Sequence, residues 1–124
     1  MADVLTSYGE IIDKYTILVI KTEKIVDPTK RESVQKELAT LLPIVQFIDL
    51  HGENHLIEEL KQVNMALWDI EDHIRLKEQA QCFDESFISL ARSVYITNDK
   101  RAQLKYKINQ LTQSPIREEK SYAD

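Results

Sequence analysis

Charged side chains recur at helical spacing in the stretch "SYGEIIDKYTILVIK", residues 7–21. It carries Asp13, Lys14 and Lys21 around the apolar run Ile17 to Ile20. Lys14 and Lys21 are seven residues apart, so on a helix they share one face. Lysines between apolar neighbours either extend their charged ends to water or meet opposite charges inside the fold. The second arrangement would create a charged network or a pocket for an anion.

Two later stretches repeat this pattern of polar side chains in steps of three and four. The first of them holds Ile57, Lys61, Asn64, Trp68, Glu71 and Arg75, and the second holds Tyr95, Asn98, Ala102, Lys105 and Asn109. Glu71 precedes Arg75 by one turn, the favourable order for an ion pair within a helix. The indole N–H of Trp68, the only tryptophan, needs an acceptor if it is buried.

These polar stripes have two interpretations. In the first, Lys14, Lys21, Arg75 and Lys105 meet Asp13, Glu71 and Asp99 inside a helical bundle and grip an anionic ligand. In the second, the lysines reach water, Glu71 and Arg75 form an ordinary surface pair, and Asn98 fixes the register between helices. The spacing favours the second interpretation, because ion-pair networks imitate functional sites.

No catalytic signature accompanies the stripes in the sequence. Asp69 and His73 are one turn apart, but two ligands do not make a metal site. Cys82 has no neighbour in sequence that would lower its pKa, and Gly9 belongs to no glycine-rich phosphate loop. The sequence therefore predicts no catalytic residue, no metal and no cofactor, and it favours a protein without enzymatic activity.

The elements that carry these residues are predicted to be four helices, at about 8–26, 28–42, 53–79 and 85–113. Ser7 with Glu10 has the form of a capping box, Asp27 before Pro28 marks the second start, and Asp84 caps the fourth helix. The third helix has an apolar seam at Leu56, Leu60, Val63, Leu67, Ile70 and Ile74. The fold class is all-α, an antiparallel bundle of three to four long helices.

Residues 43–55 are harder to assign. Pro43 is expected to interrupt the second helix or to start a new turn, because proline lacks an N–H. The stretch "PIVQFIDLHGENH" reads as a short helix or a loop, with Gly52 at a helix end. Pro115 is expected to end the last helix, and residues 115–124 to form a mobile polar tail. The chain is predicted to be a single domain, residues 1–124.

Composition narrows the class of protein further. Only two glycines and three prolines in 124 residues argue against a many-stranded fold. The single cysteine, the absence of a signal-peptide pattern and the absence of a long apolar run favour a soluble, cytoplasmic protein. A formal net charge of −5 disfavours nucleic-acid binding.

Three stretches together resemble a known family. They are "SYGEIIDKYTILVIK", "VNMALWDIEDHIR" and "ARSVYITNDKRAQLKYKIN" with "EEKSY" near the end, and they are similar to a bacterial family known only as domain of unknown function 6165. The resemblance implies an all-helical cytoplasmic protein associated with glycosyltransferases or surface-polysaccharide genes. The family's polar positions would fall on Glu10, Asp13, Lys14, Lys21, Asn64, Trp68, Glu71, Asp72, Arg75, Tyr95, Asn98, Asp99, Arg101, Lys105 and residues 118–122.

Two functional hypotheses follow. The first is a non-enzymatic interaction or accessory module that forms a homodimer or binds a protein partner such as a glycosyltransferase. Its basis is the long apolar seam together with the missing catalytic signature. The alternative is a protein or enzyme that binds an anionic sugar phosphate or nucleotide in a charged site inside the bundle. The candidate ligand-binding residues are Asp13, Lys14, Lys21, Asn64, Trp68, Glu71, Arg75, Tyr95, Asn98, Asp99, Arg101 and Lys105.

Overall fold

The computed structural model describes residues 5–114, and these residues form four helices. In chain order they are α1 (Tyr8–Lys24), α2 (Pro28–Phe47), α3 (His55–Gln79) and α4 (Glu85–Thr112). The described residues contain no strand, and the helices pack as an all-α bundle, which confirms the predicted fold class. The predicted tail at 115–124 lies outside the described residues.

Three helix starts are capped by the residues that the sequence indicates. The Ser7 hydroxyl accepts the N–H of Glu10 at 3.1 Å, and the Asp84 carboxylate accepts the N–H of Phe87 at 2.9 Å. Asp27 accepts the N–H of Thr29, with Pro28 at the first helical position. Each cap satisfies a backbone donor that has no partner within its own helix.

The structure corrects the predicted path from residue 43 to residue 55. The prediction that Pro43 interrupts the second helix is wrong, because α2 runs through Pro43 and ends at Phe47. Proline removes one hydrogen bond, here to the carbonyl of Ala39, but α2 has no buried residue and water can reach this side of the backbone. Gly52 does not end a helix either; it lies in the 48–54 connector with a φ of 84°.

The core is built by α1, α3 and α4. Its buried apolar side chains are Ile12, Leu18, Ile20, Leu56, Leu60, Leu67, Leu104 and Ile108, together with Leu50 from the connector before α3. α3 and α4 form an antiparallel hairpin, and α1 lies against both of them. α2 packs along α1, and its Val45 reaches the edge of the core.

The α3–α4 hairpin is longer than the part that α1 covers. α1 ends at Lys24, whose Nζ lies 3.8 Å from the carboxylate of Asp69. Beyond that level, from residue 68 to residue 103, no residue is buried. The outer members of the predicted seam, Ile70 and Ile74, are therefore only half-buried. We call residues 70–96 the outer hairpin.

Candidate functional site

A buried carboxylate lies at the centre of the three-helix core. Asp13 on α1 is 1% exposed, and α3 and α4 each bring one polar side chain to it. The Asn64 amide donates to Asp13 Oδ1 at 2.8 Å, and Arg101 Nε donates to the same oxygen at 2.9 Å. An Arg101 terminal nitrogen also donates to Asp13 Oδ2. Three helices are thus joined through one side chain.

Thr16 completes this group, which we call the Asp13 cluster: Asp13, Thr16, Asn64 and Arg101. The Thr16 hydroxyl donates to the backbone carbonyl of Asp13 at 2.7 Å and accepts from the Asn64 amide at 2.9 Å. Thr16 is 1% exposed, so an unpaired hydroxyl would be costly there. Each side chain of the cluster thus bonds at least one other member of it.

The charges and hydrogen bonds of the Asp13 cluster favour a structural role, in which the cluster holds the helices together, over an open binding site. Arg101 meets the carboxylate through two donors, the arrangement that suits the planar guanidinium best. The Arg101 side chain is 28% exposed, so its charge is only partly removed from water. Among the described residues, no buried side-chain nitrogen or oxygen is left without a partner. The cluster offers a ligand no unpaired buried group.

A second set of polar contacts joins α1 to the end of α4. Lys105 Nζ lies 2.7 Å from the Glu10 carboxylate, and the Asn109 side-chain oxygen accepts the N–H of Gly9 at 2.7 Å. The Ser114 hydroxyl accepts the N–H of Tyr8 at 3.2 Å. Two N–H groups of the first turn of α1 are therefore capped from a distant part of the chain.

Gly9 allows this close approach of the two helices. A Cβ at this position would lie 2.5 Å from the Lys105 carbonyl oxygen and 2.9 Å from the Asn109 side-chain oxygen. The carbonyl belongs to the α4 backbone and cannot rotate away. Gly9 is thus required for packing, not for binding a phosphate.

The four cations proposed to grip an anion do not meet in one cavity. Lys14 lies on the surface and pairs with Glu37 of α2 at 2.8 Å, while Lys105 pairs with Glu10. Arg75 is 70% exposed on α3, and Lys21 is half-buried on α1. Of the predicted candidates, the structure brings together Asp13, Asn64 and Arg101.

The remaining candidates lie along the outer parts of α3 and α4. Glu71 and Arg75 form the predicted pair within α3, at 3.6 Å and exposed to solvent. Trp68 is half-buried on α3. On α4, Tyr95 is exposed while Asn98 and Asp99 are half-buried. Trp68 and Asn98 lie one helical turn from Asn64 and Arg101 respectively, and the hydrogen bonds described for the Asp13 cluster do not include them.

The turn between α3 and α4 carries a strongly shifted pKa. The backbone N–H of Phe87, and after it the ammonium of Lys77, lower the pKa of Asp84 from 3.8 to about 2. Lys77 lies 3.0 Å from the Asp84 carboxylate, and this hydrogen bond raises the pKa of Lys77 in turn. Cys82 donates to the same carboxylate at 3.4 Å. These contacts of Asp84 stabilise the turn that joins α3 and α4.

Two open depressions flank the bundle. One, of about 430 Å³, lies at the tip of the outer hairpin and is lined by His73, Leu76, Lys77, Ala80, Cys82, Ser86 and Leu90. The other, of about 390 Å³, lies at the opposite end beside Tyr8, Phe47 and Thr112. His73 bonds the backbone carbonyl of Asp69, and the described residues hold no group of side chains suited to a metal ion.

Sequence reasoning missed Thr16 and Gly9 as partners in these contacts. Thr16 follows Asp13 by three residues on the same helix face, which is the signal that would have found it. The sequence predicted the side of α4 on which Asn109 lies, but it did not predict a hydrogen-bond partner for this side chain. No local signal predicts Gly9, because its role depends on how closely α4 approaches.

Comparisons with known proteins give one match. The family model described as a family of unknown function (DUF6165) matches residues 2–124. Neither the curated proteins nor the solved structures give a match to this chain. None of the helices in the 5–114 range is long and apolar enough to cross a membrane.

Proposed function

The chain belongs to the DUF6165 family, whose function is unknown, and we propose that it is a non-enzymatic interaction module that associates with a second copy of itself. The proposal rests on what the bundle buries and what it leaves uncovered. In the part of the chain that the structure describes, every buried polar side-chain atom has a partner, while large apolar side chains lie exposed outside the core.

The observation that carries the proposal is the apolar surface of the outer hairpin. Leu76 is 62% exposed, Phe83 is 52% exposed and Tyr95 is 61% exposed. Single exposed apolar side chains are normal on a protein surface, but a concentration of them marks an interaction site. Five large exposed apolar side chains lie in the outer hairpin, where α1 no longer covers the α3–α4 pair.

Light scattering coupled to size-exclusion chromatography tests this proposal. The purified chain is expected to have twice the monomer mass, 29.0 kDa against 14.5 kDa, at high concentration and to dissociate on dilution. A mass of 14.5 kDa at every concentration would overturn self-association.

The alternative of an anion site inside the bundle has less geometric support. Arg101 and Lys105 already face carboxylates, and Lys14 and Arg75 lie on the surface. Thermal unfolding in inorganic phosphate, a sugar phosphate and a nucleotide distinguishes the two functions. The interaction module predicts no stabilisation beyond that given by chloride at equal ionic strength. A saturable rise in Tm with one of these anions would favour the ligand-binding alternative.

A glycosyltransferase partner and a cytoplasmic location belong to the same proposal. Their support is the family resemblance seen in the sequence, together with the lone cysteine. Co-purification of the chain with a glycosyltransferase of its own organism, and loss of that enzyme on mutation of the outer hairpin, is the expected result for such a partner.

A further inference from the structure

A second apolar stripe runs along α4 on a side that the bundle does not bury. Ile88 is 48% exposed, Tyr95 is 61% exposed and Tyr106 is 38% exposed. Ala91 and Ala102 lie between them, exposed and half-buried respectively. The steps along Ile88, Ala91, Tyr95, Asn98 and Ala102 are three, four, three and four, the repeat of a coiled-coil seam. We call these five residues with Tyr106 the α4 stripe.

The α4 stripe adjoins the side of α4 that faces α1, and its spacing continues beyond Ala102 into Lys105 and Asn109, which bond α1. Arg101, Lys105 and Asn109 bond side chains or backbone of α1, and Leu104 and Ile108 enter the core. The stripe lies beside the α1-facing row, about one quarter of a turn further round the helix. A neighbouring helix can pack there without displacing α1.

The spacing of the α4 stripe is symmetric about its middle, between Ile96 and Thr97. Tyr95 is matched with Asn98 and Ala91 with Ala102, while Ile88 is matched with Lys105 at the end of the stripe. A two-fold interface requires such self-complementarity, because each residue meets its counterpart on an identical surface. We infer that α4 pairs antiparallel with α4 of a second copy through this stripe, which deepens and rests on the self-association proposed above.

The antiparallel pair gives each side chain of the α4 stripe a suitable neighbour. Ala91 lies opposite Ala102 of the second copy, where the small side chains let the two helices come close. Asn98 lies opposite Tyr95 of the second copy, and its amide can bond the phenol hydroxyl. A single polar layer of this kind fixes the register of paired helices. The stripe extends ~27 Å along the helix, enough for a continuous seam.

Charge complementarity supports the same pairing. Arg92 and Asp99 are seven residues apart, on the outer flank of the α4 stripe. Antiparallel pairing sets Arg92 level with Arg101 of the second copy, whose side chain bonds its own Asp13, and within one turn of Asp99 of the second copy. An arginine side chain spans that separation, so the two-fold axis creates two equivalent pairs. A parallel arrangement would instead set Arg92 against Arg92.

Charge reversal at these two positions tests the pairing. Arg92→Glu alone and Asp99→Lys alone each place like charges at the interface, and each is expected to weaken the dimer by ~10-fold or more. The double variant Arg92→Glu, Asp99→Lys restores opposite charges between copies and is expected to regain most of the lost affinity. The readout is the dissociation constant from sedimentation equilibrium.

Two further variants separate this inference from self-association in general. Tyr95→Glu places a charge in the α4 stripe, and Leu42→Glu places the same charge on α2, outside both the stripe and the outer hairpin. Tyr95→Glu is expected to give a monomer with unchanged helix content by circular dichroism, and Leu42→Glu a dimer. A dimeric wild type whose stripe variants all stay dimeric would overturn the stripe alone. A monomeric wild type would overturn the proposed function and the stripe together.

Discussion

Asp13 accounts for more of the bundle's specificity than any other polar residue in the described part of the chain. Its carboxylate accepts hydrogen bonds from α3 and α4 while its own backbone carbonyl accepts from Thr16. A buried ion pair adds little net stability compared with apolar packing, but removing its carboxylate takes one hydrogen-bond partner from both Asn64 and Arg101. Its value lies in the helix register that it fixes.

Asp13→Ala is therefore expected to destabilise the fold strongly. The change removes the carboxylate that accepts hydrogen bonds from both Asn64 and Arg101, and we expect a loss of about 3 kcal/mol. This lies at the lower end of the range for broken buried pairs, because Arg101 is 28% exposed and water can solvate it in part. Urea unfolding followed by circular dichroism measures the change.

Glu71→Ala is the matched control for that variant. It also removes a carboxylate from an arginine pair, but Glu71 and Arg75 are exposed and lie within one helix. The expected change is within ~0.5 kcal/mol. If the two variants cost the same, the Asp13 cluster would not hold the helices in register.

The sequence was informative about which residues could meet, but not about which pairs would form. Asp13 and Asn64 each lie among apolar residues at helical spacing, so the sequence indicated that both side chains point inward. The pairing of Lys14 with Glu37 depends on α2 lying along α1, and no local pattern specifies that packing. The role of Gly9 is the hardest to predict from the sequence, because it depends on the distance between Gly9 and the α4 backbone.

The elements of the bundle begin where their capping residues are. Ser7, Asp27 and Asp84 all accept first-turn N–H groups, and the sequence predicted all three starts. The ends were harder to predict because the stop signals compete with helix formation. Pro43 is a strong local signal, yet α2 continues past it for one turn on an exposed surface.

The cap of α4 makes part of the stability depend on pH. The folded chain holds the pKa of Asp84 at about 2, below the value of 3.8 for an unperturbed group. A lowered pKa means that the ionised form is favoured by folding, so its contribution is complete above 3.8. We expect this contribution to fall as the pH drops from 3.8 through about 2.

Asp84→Asn isolates that contribution, because asparagine still caps a helix but carries no charge. Urea unfolding of both chains from pH 7 to pH 2 should show a difference that is constant at high pH and shrinks below pH 3.8. An NMR titration of the Asp84 carboxyl carbon in the folded chain should have its midpoint at about 2. A midpoint near 3.8 would contradict the role of Phe87 and Lys77.

At the scale of the whole molecule, burial is concentrated at one end. The buried residues of α3 lie between Leu56 and Leu67, and those of α4 between Leu104 and Asn109. α2 contributes none, and the outer hairpin has only two helices to cover its seam. The chain is thus a three-helix core with a two-helix extension and a helix packed on one side.

This uneven burial predicts a graded pattern of amide hydrogen exchange. Local opening is least costly where few apolar contacts are lost, so different parts of the chain should exchange at different rates. The slowest amides are expected near Ile12, Leu60 and Ile108, each 0% exposed. Amides of the outer hairpin should exchange faster, and those of α2 fastest among the four helices.

NMR-detected exchange at two protein concentrations measures this order and links it to self-association. Dilution removes any protection that a second copy provides, so the diluted chain reports the bundle alone. On concentration, added protection is expected around Ala91 to Ala102 of α4 and not in α2. Equal protection of α1 and α2 in the dilute sample would contradict the three-helix core, because the two helices would then open at the same cost.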